Sequence, residues 1–188
     1  ARALEDAHPP VSDGGAAAPL RLDDFCAGPS VLARRWSVFS DRVMGGVSMA
    51  NGAMDNVHGR NALHLTGNVS LEQNGGFIQA ACSLGDPPGS GVNGRGYRGL
   101  ALSVCGTPGS YFVHLRTADT RAPWQYYSAP LPVSGEWSRI VLDWSAFTPV
   151  SIATPLDVRH ILRIGIVAAK TAFYADVALS ELWLASAD

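Results

Sequence analysis

No stretch of this chain sustains helical periodicity over about 12 residues; apolar residues instead alternate with polar ones in short runs broken by glycine and proline. In Ala62–Asn68, Leu63 and Leu65 alternate with His64 and Thr66, the period of a half-buried strand. Leu100, Leu102 and Val104 make one inward face, and Tyr111, Val113 and Leu115 make the next. Successive strand side chains point to opposite sides, so Phe112, His114 and Arg116 share the other side of that second strand. Further strands are expected at Leu20–Phe25, Phe77–Ser83, Trp124–Pro130, Glu136–Asp143, Ile161–Ala169 and Phe173–Leu184. Gly28–Arg35 reads as a loop or a single helical turn, and Met49–Arg60 is polar and glycine-punctuated. Trp144–Pro149 reads as an aromatic corner built on Trp144 and Phe147.

Roughly ten short strands with Gly/Pro turns imply a sandwich or a barrel. At 188 residues the economical solution is an all-β, two-sheet β-sandwich of the jelly-roll kind. Residues 1–19, rich in Ala, Pro, Gly and acids, read as an extended or flexible N-terminal arm, and 20–188 as the β-sandwich domain.

Composition removes several functions. Hydrophobic residues at 47% and charged ones at 16% exclude a disordered chain. Basic residues number 14 against 16 acidic, without the basic excess of a nucleic-acid binder. No apolar run approaches the ~18 residues of a membrane span, so membrane contact would come through a partner or a surface patch. Cys26, Cys82 and Cys105 form no CxxC; each is expected in or near the core, with a Cys82–Cys105 bridge left open. The histidines make no HxH or HExxH pair, so no zinc site is expected. The odd cysteine count and the start at Ala1 favour a cytoplasmic protein; a cleaved leader would make it periplasmic.

Trp36–Ser48 reads W-S-V-F-S-D-R-V-M-G-G-V-S. The pair Gly45-Gly46 lets the backbone reach positive φ, where a Cβ would clash. Successive N–H groups at such a turn can point into one concavity, and Asp41 can bond nearby N–H groups and fix the loop. The stretch is either a rigid connection between strands or a contact surface carrying Asp41, Arg42, Met44 and Ser48. Asn74-Gly75 is a second turn signal. Gly85–Gly99 is a long glycine- and proline-rich stretch without phosphate-binding spacing, expected as a mobile surface loop. Arg95, Tyr97 and Arg98 would let it grip a partner.

In this order the motifs resemble the complex I intermediate-associated protein 30 family. The resemblance runs from about Leu20 to Leu184, through V-M-G-G-V-S at Val43–Ser48, N-V-S-L-E-Q-N-G-G-F at Asn68–Phe77, Y-R-G-L-A-L-S-V at Tyr97–Val104 and Y-F-V-H-L-R-T at Tyr111–Thr117. W-Q-Y-Y at Trp124–Tyr127, G-E-W at Gly135–Trp137 and F-T-P at Phe147–Pro149 continue it. The Gly85–Gly96 insertion departs from the pattern. The resemblance implies a galactose-binding-like β-sandwich that helps assemble or stabilise a membrane electron-transfer complex, respiratory or photosynthetic, lying peripheral to the membrane. No catalytic residues are established for the family, and none is carried over.

The residues themselves agree with a non-catalytic reading. Ser48, Ser70, Ser103 and Ser128 lack a G-x-S-x-G elbow, and no pair of carboxylates is singled out. No cofactor or metal is expected; a structural calcium, which some folds of this type hold, would draw on Asp23, Asp24, Asp176 and Glu181. Two binding modes remain. Subunits of a membrane protein complex would meet Arg42, Met44, Asn74, Tyr97, Arg98 and the strand face of His114, Arg116, Trp124 and Tyr126. A carbohydrate-binding module would use that same strand face to stack sugar rings, unless Trp124 and Tyr126 simply pack the core.

Overall fold

The computed structural model describes residues 17–28, 32 and 35–187. Residues 1–16 of the expected N-terminal arm and much of Gly28–Arg35 therefore lie outside the described residues. The described residues form twelve strands in order: β1 Leu20–Asp23, β2 Trp36–Ser40, β3 Met49–Val57, β4 Arg60–Val69, β5 Phe77–Ser83 and β6 Tyr97–Gly106. β7 Tyr111–Thr117, β8 Tyr126–Pro130, β9 Ser138–Asp143, β10 Thr148–Val150, β11 Ile161–Ala169 and β12 Phe173–Ser186 complete them.

These strands form the two antiparallel sheets expected from the alternation. The first has the order β3-β4-β12-β6-β9, with β1 also paired to β12; the second is β10-β8-β7-β11-β5-β2. Their inward faces carry Leu65, Leu102, Leu179 and Leu182 from one sheet against Ile78, Val113, Leu115 and Ile164 from the other, all buried in one cluster. Each such side chain contributes on the order of 1.5–3 kcal/mol through the apolar area it removes from water.

β3 is a strand in a segment whose polarity hides it. It pairs along its whole length with β4, from Met49↔Asn68 to Val57↔Arg60. As an edge strand it is held by backbone hydrogen bonds and buries little, so Met49–Val57 needs no apolar face. Gly52 lets it lie close over Val38 of β2, where a Cβ would overlap the valine side chain. The expected strand at Trp124 begins instead at Tyr126, and Trp124 stands in the preceding turn. The aromatic corner is a single 3-10 turn, Trp144–Ala146, followed by short β10.

The glycine-rich loop after β5 is tied down by backbone hydrogen bonds. Val92 exchanges both backbone hydrogen bonds with Ile161, and Gly94 N–H donates to the Val158 carbonyl at 2.7 Å. Two cysteine expectations are corrected. Cys26 is exposed rather than in the core, and Cys82 lies on β5 of one sheet while Cys105 lies on β6 of the other, all three as free thiols.

Candidate functional site

β2 is the edge strand of one sheet and β3 the edge strand of the other, so the connection Asp41–Ser48 closes one side of the sandwich. The connection from β4 to β5 crosses between the same two sheets, through a 3-10 turn at Glu72–Asn74. Asp41 joins these two crossovers. Its carboxylate is fully buried and accepts four hydrogen bonds: from the Ser48 N–H (2.9 Å) and hydroxyl (2.6 Å), and from the N–H groups of Gly76 (2.5 Å) and Phe77 (3.4 Å). Burial alone would raise its pKa; the Ser48 hydroxyl and the backbone donors outweigh burial and hold the carboxyl below its ordinary value.

Ser48 extends the network. Its Oγ accepts from the Ser70 N–H at 2.9 Å, while its carbonyl accepts from the Ser40 hydroxyl (2.9 Å) and from Arg42 Nε (3.2 Å). The first crossover opens as a 3-10 turn, Asp41–Met44, capped by the Ser40 side chain and ended by Gly45 at φ +86°. Gly46 and Gly75 leave room for the carboxylate, since a Cβ at either position would overlap Asp41 side-chain atoms. Asp41 and Ser48 thus have no free surface to offer a partner, and they act by shaping the loop.

What they shape is an apolar rim. Val43 and Met44 are 72% and 65% exposed, and Val47, Met49 and Leu71 are exposed beside them. Met49, Asn68 and Tyr174 lie opposite one another across β3, β4 and β12, and all three are exposed, so the rim runs onto the outer sheet face. Exposed Arg42 and Asn74 flank it. Of this rim the sequence singled out Met44 but not Val43, Val47, Met49, Leu71 or Tyr174; the signal available was apolar residues set beside the glycine turns at Gly45-Gly46 and Gly75-Gly76.

The other expected contacts lie elsewhere. Tyr97 and Arg98 begin β6, whose first residues pair with the C-terminal end of β12, whereas the rim meets the N-terminal end of β12. Arg98 is occupied by an ion pair with Asp143 at 2.5 Å. His114 and Tyr126 stack on the outer face of the second sheet, ring centroids 4.1 Å apart and 16° from parallel. Burial first, then the Lys170 charge, push the His114 pKa down to about 4, so this imidazole is neutral near pH 7. Arg116 donates to the carbonyls of Ala122 (3.2 Å) and Thr120 (3.5 Å), holding the turn that carries Trp124. Trp124 itself is 66% exposed and packs no core.

The four calcium candidates do not gather into one ligand set. Asp23 accepts from Phe25 N–H and Trp36 Nε1, Asp24 pairs with Arg21, and Asp176 pairs with His64 at 2.6 Å. Among the described residues no three His, Cys, Asp or Glu side chains gather as metal ligands. Nor, among these residues, is any helix long and apolar enough to cross a membrane.

Residues 26–179 match the family model described as complex I intermediate-associated protein 30. No curated protein matches the chain. Among solved structures, a family 11 carbohydrate-binding module from a cellulosomal cellulase of Clostridium thermocellum superposes with a TM-score of 0.72 at 14% identity, covering 92% of this chain and 97% of that one. The same kind of module in complex with a β-1,3-1,4-mixed-linked tetrasaccharide gives 0.70 at 12% identity, covering 91% and 97%. An agarase gives 0.61 at 10% identity, covering 90% of this chain and 25% of the enzyme. At these identities the likeness shows the β-sandwich fold alone.

Proposed function

Because the chain belongs to the complex I intermediate-associated protein 30 family, we propose that it is a non-catalytic accessory protein that binds subunits of a membrane electron-transfer complex, as an assembly factor or a bound subunit. Family membership supports the association with complex I; a photosynthetic client is the variant of the same reading. The observation that carries the binding role is the rim of Val43, Met44, Val47, Met49 and Leu71, exposed on and beside the two crossovers that buried Asp41 pins together. Exposed apolar side chains on a rigid support favour a protein contact, because little conformational entropy is left to lose on binding. Arg42 and Asn74 at the edge supply polar contacts around that apolar centre. The protein would lie peripheral to the membrane and reach it through its partner.

Co-purification from membranes in mild detergent tests this. Enrichment of electron-transfer-complex subunits with the intact chain, lost on Met44→Asp, supports the reading, and recovery of no such subunit overturns it.

A second reading, a carbohydrate-binding module, draws on the exposed Trp124 in the turn before β8 and, two residues on, Tyr126 stacked on His114. Aromatic faces of this kind hold sugar rings. A glycan-array signal abolished by Trp124→Ala would favour it over the first.

A further inference from the structure

β3 stands at the end of its sheet with one side unpaired. It pairs with β4 without a register break from Met49↔Asn68 to Val57↔Arg60, and none of its nine residues is buried. The turn His58-Gly59, both residues at positive φ, closes the hairpin on Val57 and Arg60, a pair that exchanges both backbone hydrogen bonds. Backbone groups alternate from there, so Ala50, Gly52, Met54 and Asn56 point their N–H and C=O groups away from β4. The Asn56 N–H agrees with that direction, since it donates to the Asp55 carboxylate at 2.8 Å. Among the described residues, no other hydrogen bond reaches the edge groups of these four residues.

Sheet edges are commonly blunted by shortness, proline, charge or a bulge. The other edges here follow that rule. β1 and β2 have four and five residues, β10 has three and includes Pro149, and β9 carries Arg139 and Asp143. β3 reads M-A-N-G-A-M-D-N-V, with no proline or basic residue and one charge, Asp55, on the outer face with Met49. An edge so long and regular accepts an added strand, and this sequence fits a copy of itself. About a two-fold axis at Ala53, Gly52 meets the second copy's Met54 and Ala50 meets its Asn56, each pair exchanging backbone hydrogen bonds. On the outer face Met49 meets the second copy's Val57, Asn51 meets its Asp55, and Ala53 meets its Ala53. Apolar faces apolar, amide faces carboxylate, and small faces small, over the whole strand. An axis at Gly52 sets Met49 against Asp55, and an axis at Met54 sets Asn51 against Val57; both shorten the pairing.

We infer that the free edge of β3 takes a second copy of this chain, antiparallel about Ala53, so that one sheet runs through a two-fold dimer. Main-chain hydrogen bonds supply the affinity, and the outer-face side chains fix the register. Asp55 exchanges the Asn56 N–H for the Asn51 side-chain amide of the second copy, which frees that N–H for the backbone opposite. Val43 and Met44 lie outside the paired strand, so this contact and the rim's contact with a client are lost through different substitutions.

Cross-linking of the full chain tests the register. Residues that face each other in a pair without mutual hydrogen bonds stand about 4.5 Å apart at Cα, within disulfide reach, whereas residues four steps out of register are separated by roughly 13 Å. In a Cys26→Ser background, which removes the exposed thiol, Ala53→Cys is expected to form a disulfide-linked dimer on mild oxidation and Asn51→Cys to form none. Both positions are exposed, so neither change disturbs the core. Sedimentation equilibrium gives a second readout. Ala53→Glu and Ala53→Lys are each expected to weaken dimerisation on the order of fivefold, through like charges directly opposite, and an equimolar mixture of the two to recover it. A parent chain that stays monomeric at submillimolar concentration overturns the inference. So does the absence of a cross-link at Ala53→Cys, an equally fast one at Asn51→Cys, or a mixture no tighter than its components.

Discussion

The Ser48 hydroxyl donates to the buried Asp41 carboxylate at 2.6 Å, across the ends of one crossover, while the same carboxylate accepts from Gly76 of the next. The two sequence motifs that most distinguish the chain are therefore one object in space. V-M-G-G-V-S supplies one wall of the clamp and S-L-E-Q-N-G-G-F the other. A buried carboxylate is stable there because its donors belong to crossovers the fold must close anyway and to the first residue of β5.

Replacing Asp41 by Asn keeps the shape but swaps one acceptor oxygen for a donor facing N–H groups. Asp41→Asn is expected to destabilise the fold by about 2–4 kcal/mol, and Ser48→Ala by about 1–2 kcal/mol. For a chain of this size the former corresponds to a fall in Tm of roughly 5–15 °C. Calorimetry or denaturant titration measures both, and an unchanged midpoint for Asp41→Asn would show that the clamp holds nothing.

The glycines beside the clamp fail for separate reasons. Gly46→Ala places a Cβ whose nearest atoms all belong to Asp41, whereas Gly45→Ala meets open space but must hold φ +86°. Gly46→Ala is expected to destabilise by about 1–3 kcal/mol through overpacking, and Gly45→Ala by about 1 kcal/mol through backbone strain. In an Asp41→Ala background the Gly46→Ala penalty should shrink and the Gly45→Ala penalty should not. A double-mutant cycle with equal penalties in both backgrounds contradicts the geometry.

How far this was legible in the sequence depends on which physical signal a residue carries. Alternation revealed Tyr111–Thr117 and with it the shared outer face of Phe112, His114 and Arg116, because both sides of that strand have distinct environments. It missed β3, an edge strand that owes its place to backbone pairing with β4. Asp41 was recognised as a loop holder from its residue type, but its bond to Gly76 spans thirty-five positions and leaves no local trace. The candidate contacts were gathered by residue type and by strand alternation, and the structure separates them into the buried Asp41–Ser48 clamp, the rim, the start of β6 and the His114 face.

Stability should fall with acid in two stages. His114 titrates near 4 in the fold against 6.5 unperturbed, so the unfolded chain takes up the proton first. The stability that follows from a neutral His114, packed on Tyr126 and facing Lys170, is complete above about pH 6.5 and is lost as pH falls towards about 4. Asp41, held below its ordinary 3.8, adds a second loss only beneath that window, as pH drops through its folded pKa. His114→Gln should flatten the upper stage and leave the lower one. An unfolding free energy constant between pH 6.5 and 4 in the parent chain contradicts the burial of this imidazole.

The thiols should divide by exposure. Cys82, pushed up to about 12 chiefly by burial, and Cys105, raised in the same direction for the same first reason, are inert in the native chain, while Cys26 is exposed. A chromogenic disulfide reagent at pH 8 is expected to modify one thiol promptly and all three only after denaturation. Prompt reaction of a second thiol contradicts the packing of β5 or β6.

Charging the rim should separate binding from folding. Val43 and Met44 are among the most exposed apolar side chains and take no part in the clamp, so Val43→Asp with Met44→Asp should change unfolding free energy by no more than about 0.5 kcal/mol. If the rim is the buried centre of an interface, the same pair places two desolvated charges against an apolar partner and weakens association by at least a hundredfold, on the order of 3 kcal/mol. Asp41→Asn acts in the opposite sense: it leaves every rim side chain in place but loosens their support, so it should lower both stability and association. Co-purification measured for the two variants side by side distinguishes them. Retained association in the charged pair places the interface away from Val43 and Met44, and lost association at unchanged stability assigns it to them.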